Sequence, residues 1–231
     1  RDGDTEVFAM DVDGTGQSSL TSNSAGDLHA DWQPLVSGPI SHWKAELNYH
    51  DSVGDNDAQP SPFGGVHFVA GRVGAAFSIV QSFIVIPYPH NPSLNPGAAM
   101  TIDAWIYPYS IGHDISILQN YSGVAGGGGY TFGTTQAPAG PANGLQFMLN
   151  LQAGTVKQLQ TPPDVIVPGV WHHVAATYDG AMMRIYVDGM QRAAMSATGS
   201  IKPDMFQNGP FIGRNGSLVW NGLIDEVRLH E

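Results

Sequence analysis

Acidic side chains at two places in the sequence could bind a metal ion. Residues 51–57 read Asp-Ser-Val-Gly-Asp-Asn-Asp, and oxygen ligands on such a flexible, glycine-containing backbone suit Ca²⁺. A further acid, Asp225, alternates with apolar residues in a C-terminal strand and is expected to point with them unless a bulge intervenes. A half-buried carboxylate needs a cationic partner or a metal, and Arg72 or Arg214 are candidate partners.

A pair of carboxyl groups is the basis for a catalytic alternative. Strand alternation places Asp103 on one face with Trp105 and Tyr107, and Asp103 and Glu226 would form an acid pair if their strands were neighbours. Retaining glycoside hydrolysis needs two carboxyl groups about 5 Å apart. The sequence contains no G-x-S-x-G elbow and no H-E-x-x-H motif. We expect no catalytic residues, with this acid pair as the alternative.

Aromatic and amide side chains near strand ends are typical of sugar recognition, because rings stack on pyranose faces and amides bind hydroxyls. The candidate ligand-binding residues are Tyr107, Tyr109, His113, Asn120, Tyr121, Tyr130, Trp220 and Asn221. Each could instead be an ordinary residue of a turn-rich rim. Trp105 and Trp171 are expected to pack within the sheets, and His172 and His173 to point to opposite faces.

The composition defines the class of protein that must position these residues. Of 231 residues, 29 are Gly and 16 are Pro, 42% are hydrophobic and only 13% are charged, which favours many short strands joined by turns. A formal charge of −11 disfavours nucleic acid and anionic membrane surfaces as partners. There is no cysteine and no apolar run of the roughly 20 residues that a membrane span needs.

The pattern of strands and turns predicts the architecture of residues 39–231, which follow a boundary at Gly38-Pro39. About ten strands at short spacing favour two antiparallel sheets packed face to face. Asp188-Gly189, placed directly after a strand, is typical of a two-residue type I′ hairpin turn.

Residues 40–231 resemble the laminin-G-like and pentraxin group of concanavalin A-like jelly rolls. The resemblance rests on Trp171-His-His-Val-Ala-Ala-Thr-Tyr-Asp-Gly180, Met183-Arg-Ile-Tyr-Val-Asp-Gly189, Phe211-Ile-Gly213, Trp220-Asn-Gly-Leu-Ile-Asp-Glu-Val-Arg228 and, upstream, Met100-Thr-Ile-Asp-Ala-Trp-Ile106. It implies an all-β, two-sheet antiparallel jelly-roll sandwich and a structural Ca²⁺ bound by Asp51, Asp57 and Asp225. Residues 78–84 depart from the group's pattern, because they lack its two acids.

Residues 1–38 resemble one repeat of the β-propellers of Tol-associated periplasmic proteins. The matching residues are Asp2-Gly3, Val7-Phe-Ala-Met10, Asp13-Gly-Thr-Gly-Gln17, Leu20-Thr21 and Trp32. A lone repeat cannot bury its own face, so we expect a propeller-blade-like β hairpin segment left at the edge of the chain. Because the chain begins with Arg1, we expect a piece of a larger bacterial protein, with an upstream β-propeller as a candidate partner.

These observations together predict a non-catalytic, lectin-like module that binds a polysaccharide or glycan. The resemblances place it in a secreted, periplasmic or cell-surface bacterial protein, without membrane insertion and stabilised by calcium. Two alternatives stay open: a glycoside hydrolase or polysaccharide lyase on the same fold, and a protein-interaction or adhesion module.

Overall fold

The computed structural model divides the chain into two compact units, Arg1–Gly38 and Pro39–Glu231. It describes residues 8–9, 18–19, 38–87, 92–121, 127–138, 140–152, 154–204 and 209–231. In the first unit, β1 (Phe8–Ala9) pairs antiparallel with β2 (Ser18–Ser19). The other residues of the predicted propeller-like repeat lie outside the described residues.

The described residues of the second unit form strands and a turn of 3₁₀ helix at Pro92–Leu94. The strands are β3 (Ser41–Trp43), β4 (Gln59–Pro60), β5 (Val66–Ala70), β6 (Ala75–Val80), β7 (Ile84–Val85), β8 (Met100–Pro108), β9 (Ile115–Asn120), β10 (Tyr130–Thr135), β11 (Gly144–Asn150), β12 (Val156–Gln160), β13 (His172–Tyr178), β14 (Met182–Val187), β15 (Met190–Ser196), β16 (Phe211–Ile212), β17 (Arg214–Asn215), β18 (Leu218–Val219) and β19 (Asn221–His230).

Two antiparallel sheets form a sandwich, which confirms the all-β, two-sheet prediction. The seven-stranded sheet has the order β12-β11-β10-β9-β16-β7-β4. The eight-stranded sheet has the order β15-β14-β13-β8-β19-β6-β5, and β3 also pairs with β19. Strands β17 and β18 form a separate small hairpin.

The core lies between the two sheets and is filled by alternating side chains of each strand. In β8, Ile102, Ala104 and Ile106 are fully buried, which leaves the intervening residues on the outer face of the eight-stranded sheet. The largest fully buried side chains of the unit are Trp43, Phe77, Ile79, Ile84, Ile86, Leu94, Met100, Tyr130, Phe132, Phe147, Tyr178 and Trp220.

A β-bulge in β19 changes which residues face outward. Asp225 pairs with Trp105 and Arg228 with Asp103, so two residues of β19 lie opposite one residue of β8. Glu226, inside the bulge, has φ of 53°. The bulge is the exception that the alternation argument allowed for, so Asp225 lies on the outer face with its pairing partner Trp105 and not with the apolar side chains.

The turn between β14 and β15 is held to the neighbouring strand. Both of its central residues, Asp188 and Gly189, have positive φ, as a type I′ turn requires. The Asp188 carboxylate accepts hydrogen bonds from the His173 amide and the His172 ring. The buried side chain of His172 in β13 therefore contacts this turn, whereas the side chain of His173 lies on the outer face.

Replacing a central core ring should destabilise the sandwich strongly. Phe132 is fully buried and its ring lies 6.3 Å from that of Phe147. We expect Phe132→Ala to lower the free energy of unfolding by about 3–5 kcal/mol, through lost burial and a cavity. Phe63→Ala is the control, because Phe63 is 83% exposed. Urea denaturation of both variants measures the difference, and equal effects would contradict the assigned core.

Candidate ligand-binding face

Five rings form an aromatic strip on the outer face of the eight-stranded sheet and the loops at its end: Trp105, Tyr107, Tyr109, Trp171 and His173. The Tyr107 ring lies 5.9 Å from Tyr109 and 5.5 Å from Trp171, and the Trp105 ring lies 5.1 Å from His173. Trp105 and His173 are directly paired residues of β8 and β13. The strip therefore follows β8 from the middle of the sheet to its rim.

The aromatic strip is open to solvent. Tyr109 is 49% exposed, and the other four side chains are half-buried rather than enclosed in the core. Trp105 and Trp171 pack as expected against sheet neighbours, but they do so on the outer surface. A partly exposed row of rings is the kind of surface on which an apolar face of a ligand can stack.

A charge cluster adjoins the aromatic strip and consists of Asp103, Glu226, Arg228, His42, His173 and His230. Arg228 bridges the two acids, with nitrogen–oxygen distances of 3.2 Å to Asp103 and 2.9 Å to Glu226. Asp103 also bonds the rings of His173 and His230, at 3.3 and 3.2 Å. Glu226 bonds the His42 ring at 2.7 Å. The structure thus brings Asp103 and Glu226 together, with a guanidinium between them.

The surroundings of Asp103 keep it ionised at neutral pH. Burial raises the pKa of Asp103, but hydrogen bonds with His173 and His230 and the positive charge of Arg228 lower it by more. The resulting pKa is about 2. Glycoside hydrolysis needs one carboxyl group that is protonated and gives up its proton. Asp103, which has more side-chain hydrogen-bond partners than Glu226, is ionised at neutral pH and does not meet that requirement.

Arg72 lies over the aromatic strip and is fixed through its backbone. Its guanidinium carbon is 4.8 Å from the centre of the Trp105 ring. The buried Asp225 Oδ2 accepts the backbone amides of Arg72 and Val73, each at 2.9 Å. Burial raises the pKa of Asp225 to about 6, because these two amide bonds only partly offset the loss of hydration. Arg72, one of the two arginines predicted as a charged partner of Asp225, thus contacts it through the main chain and not through its guanidinium.

The eight predicted ligand-binding residues fall into three groups. Tyr107 and Tyr109 belong to the aromatic strip, and Asn221 lies beside it, since its carbonyl accepts the Tyr109 amide. His113 and Tyr121 precede and follow β9 in the other sheet.

The remaining three predicted ligand residues, Asn120, Tyr130 and Trp220, are buried. Asn120 and Tyr130 both donate hydrogen bonds to the Leu94 carbonyl. These side chains support the sandwich from inside and present no surface to a ligand.

The predicted calcium ligands do not form one group in this structure. The Asp51 carboxylate accepts the backbone amides of His42, Val53, Gly54 and Asn56, and Asp57 bonds the Asp51 amide and the His50 ring. Asp225 instead binds the 72–73 amides, and its Oδ1 is without a hydrogen-bond partner within the described part of the chain. No set of three or more His, Asp or Glu side chains there is placed to hold a metal.

Arg72, Trp171, His173 and Arg228 were not predicted as parts of the surface. Their proximity depends on which strands are neighbours, and a single sequence does not show that. One signal was present, because the alternation in β8 places Asp103, Trp105 and Tyr107 on one face. His173, which pairs with Trp105, and Arg228, which pairs with Asp103, extend this face on the neighbouring strands.

A laminin G-type sequence profile, described as the Concanavalin A-like lectin/glucanases superfamily, matches residues 84–231. The chain belongs to this superfamily. No protein with curated annotation shows significant sequence similarity to it. The propeller-like resemblance of the first unit stays a prediction.

Solved structures of this superfamily's fold are similar over most of the chain. Domain 4 of AbnA, an extracellular arabinanase from Geobacillus stearothermophilus, has a TM-score of 0.63 and 19% identity, covering 85% of this chain and 93% of that one. The binding domains of botulinum neurotoxin D/C VPI 5993 and neurotoxin DC have TM-scores of 0.60 and 0.56, each with 15% identity. The alignments cover 83% of this chain but only 48% and 47% of those chains.

Removing the Asp103 charge should destabilise the protein in a pH-dependent way. A pKa lowered from 3.8 to about 2 corresponds to roughly 2 kcal/mol of stability, fully present above pH 4 and lost as pH falls towards 2. We expect Asp103→Asn to be less stable than the wild type by about that amount at pH 7, and the difference to shrink in acid.

The control for this variant is Asp179→Asn, which removes an exposed ion pair with Arg184. Such a pair contributes at most about 1 kcal/mol. Chemical denaturation from pH 2 to 7 measures both variants. A constant difference between Asp103→Asn and wild type over this range would contradict the assigned ionic role.

Proposed function

We propose that this concanavalin A-like domain is a non-catalytic carbohydrate-binding module and that the glycan binds on the aromatic strip. The observation that carries the proposal is the row of partly exposed rings leading from Trp105 to Tyr109. Sugars present apolar C–H faces and hydroxyl edges, and such a row with neighbouring polar groups complements both.

The aromatic strip, the neighbouring Asn221 and the charge cluster, together the ligand-binding face, have different roles in sugar binding. Tyr107, Tyr109 and Trp171 provide the stacking surface at the rim, where a polymer can enter and leave freely. Asn221 is placed beside them to bind hydroxyl groups through its side chain, which now bonds the Ser110 hydroxyl at 2.9 Å. The charge cluster joins β8, β13 and β19 beside the strip.

Proteins with the same fold are recorded with sugars. The AbnA domain was solved in complex with arabinotriose, and the neurotoxin DC binding domain in complex with SialylT. At 19% and 15% identity these structures share the fold, and they support a binding role by analogy.

We also propose a secreted or surface-attached bacterial setting for the module. The AbnA enzyme is extracellular and of bacterial origin. Within the described residues, no helix has the length and apolarity of a membrane span.

Removing one rim ring should weaken polysaccharide binding. We expect Tyr109→Ala to weaken retention on immobilised polysaccharide about fivefold, because one aromatic contact contributes on the order of 1 kcal/mol. Phe63→Ala removes an even more exposed ring away from the strip and serves as the matched control. Affinity electrophoresis against a panel of plant and bacterial polysaccharides compares them. Equal retention of both variants on a bound polysaccharide would place the site elsewhere.

We propose separately that Ca²⁺ stabilises the domain. An ion bound by Asp51, Asp57 and Asp225 would require these carboxylates to exchange backbone amides for the metal, and an ion bound only by the folded state raises stability. If the proposal holds, a chelator lowers the melting temperature and added Ca²⁺ restores it. An unchanged melting temperature under both conditions would show that Ca²⁺ does not stabilise the folded protein.

A further inference from the structure

Arg72 is an arginine without a carboxylate partner among the described residues. Its side chain is exposed, and its guanidinium carbon lies 4.8 Å from the centre of the Trp105 ring. The Arg72 charge is therefore available to a ligand that reaches the aromatic strip.

Two arginines that lie in the charge cluster or over aromatic rings differ from Arg72. Arg228 is in the charge cluster, and both Asp103 and Glu226 already neutralise it. Arg214 also lies over aromatic rings, 4.2 Å from Phe83 and 4.6 Å from Phe211, but its Nε donates to the Gly216 carbonyl and its strand is outside the eight-stranded sheet.

The position of Arg72 is preorganised by buried interactions. Residues 71–74 form a tight turn, in which the Gly71 amide donates to the Gly74 carbonyl. The fully buried Asp225 fixes this turn by accepting the amides of Arg72 and Val73. Because the backbone is held at two points and the guanidinium rests on Trp105, a ligand pays little entropy to order it.

We propose that the glycan recognised by this face is acidic, a uronic acid or sialic acid sugar whose carboxylate binds the Arg72 guanidinium. This inference rests on the proposed carbohydrate-binding function and names the ligand class. The planar guanidinium matches a carboxylate in a bidentate geometry. The sugar ring next to that carboxylate lies along the aromatic strip.

The net charge of the chain makes the local cation decisive for such a ligand. At −11 the protein repels anionic polymers at long range, so affinity for an acidic sugar depends on a specific contact. We expect added salt to weaken the contact with Arg72, since the side chain is exposed and ionic contacts of exposed groups are screened.

The experiment compares acidic glycans with their uncharged counterparts. Polygalacturonate, alginate and hyaluronan are each paired with the carboxyl-reduced polymer, and sialyllactose is paired with lactose. Binding of the full chain is measured by titration calorimetry and affinity electrophoresis for wild type, Arg72→Gln and the matched control Arg214→Gln. We expect at least one acidic glycan to bind about tenfold more tightly than its neutral partner, the amount expected from a charged hydrogen-bonded pair.

The variants distinguish the failure of this inference from that of the proposed function. Loss of the acidic preference in Arg72→Gln, with its retention in Arg214→Gln, is the expected result. Equal binding of acidic and neutral partners would overturn the inference and leave the carbohydrate-binding function standing. An acidic preference that survives in Arg72→Gln would overturn the role of Arg72. Binding to none of these glycans, with retention on another polysaccharide of the affinity-electrophoresis panel, would overturn the inference alone. Retention on no polysaccharide at all would overturn the proposed function together with the inference.

Discussion

Strand β19 pairs with β8 along most of its length, with β6 at its N-terminal end and with β3 beyond the bulge. This central pairing decides the composition of both faces of the eight-stranded sheet. Before the bulge, Ile224 faces the core opposite Ile106, and after it Leu229 faces the core opposite Ile102. Since the bulge adds one residue between these two, Asp225 and Arg228 both reach the outer face. Without it, one half of β19 would turn its apolar side chains to solvent.

Asp103 concentrates the polar contacts of three strands on one carboxylate. Its oxygens bond His173 from β13 and both Arg228 and His230 from β19, while Asp103 itself belongs to β8. Such contacts are directional, and they replace the hydration that the buried carboxylate loses. The outer face is therefore held in one geometry by hydrogen bonds, as the inner face is by packing. A rigid row of rings loses less conformational entropy when a ligand binds.

Local patterns predicted the features that depend on neighbours in sequence. The two-sheet all-β class, the turn at Asp188-Gly189 and the shared face of Asp103, Trp105 and Tyr107 follow from composition and alternation. The bulge at Glu226 could not be predicted, because one extra residue leaves the apolar pattern of β19 almost unchanged. The burial of Tyr130 could not be predicted either, because its hydroxyl donates a hydrogen bond to the Leu94 carbonyl inside the sandwich. The place of Arg72 over Trp105 requires residues far apart in sequence to meet.

The first and last strands of the second unit lie side by side. Strand β3 pairs with β19, and the Ile40 amide donates to the Leu229 carbonyl at 2.8 Å. Both ends of the unit's chain therefore emerge at the same place. A domain built this way can be carried within a surface loop of another protein without forcing that loop apart. It is also suited to circular permutation, in which a short linker joins residue 231 to residue 39 and new termini open at an exposed turn.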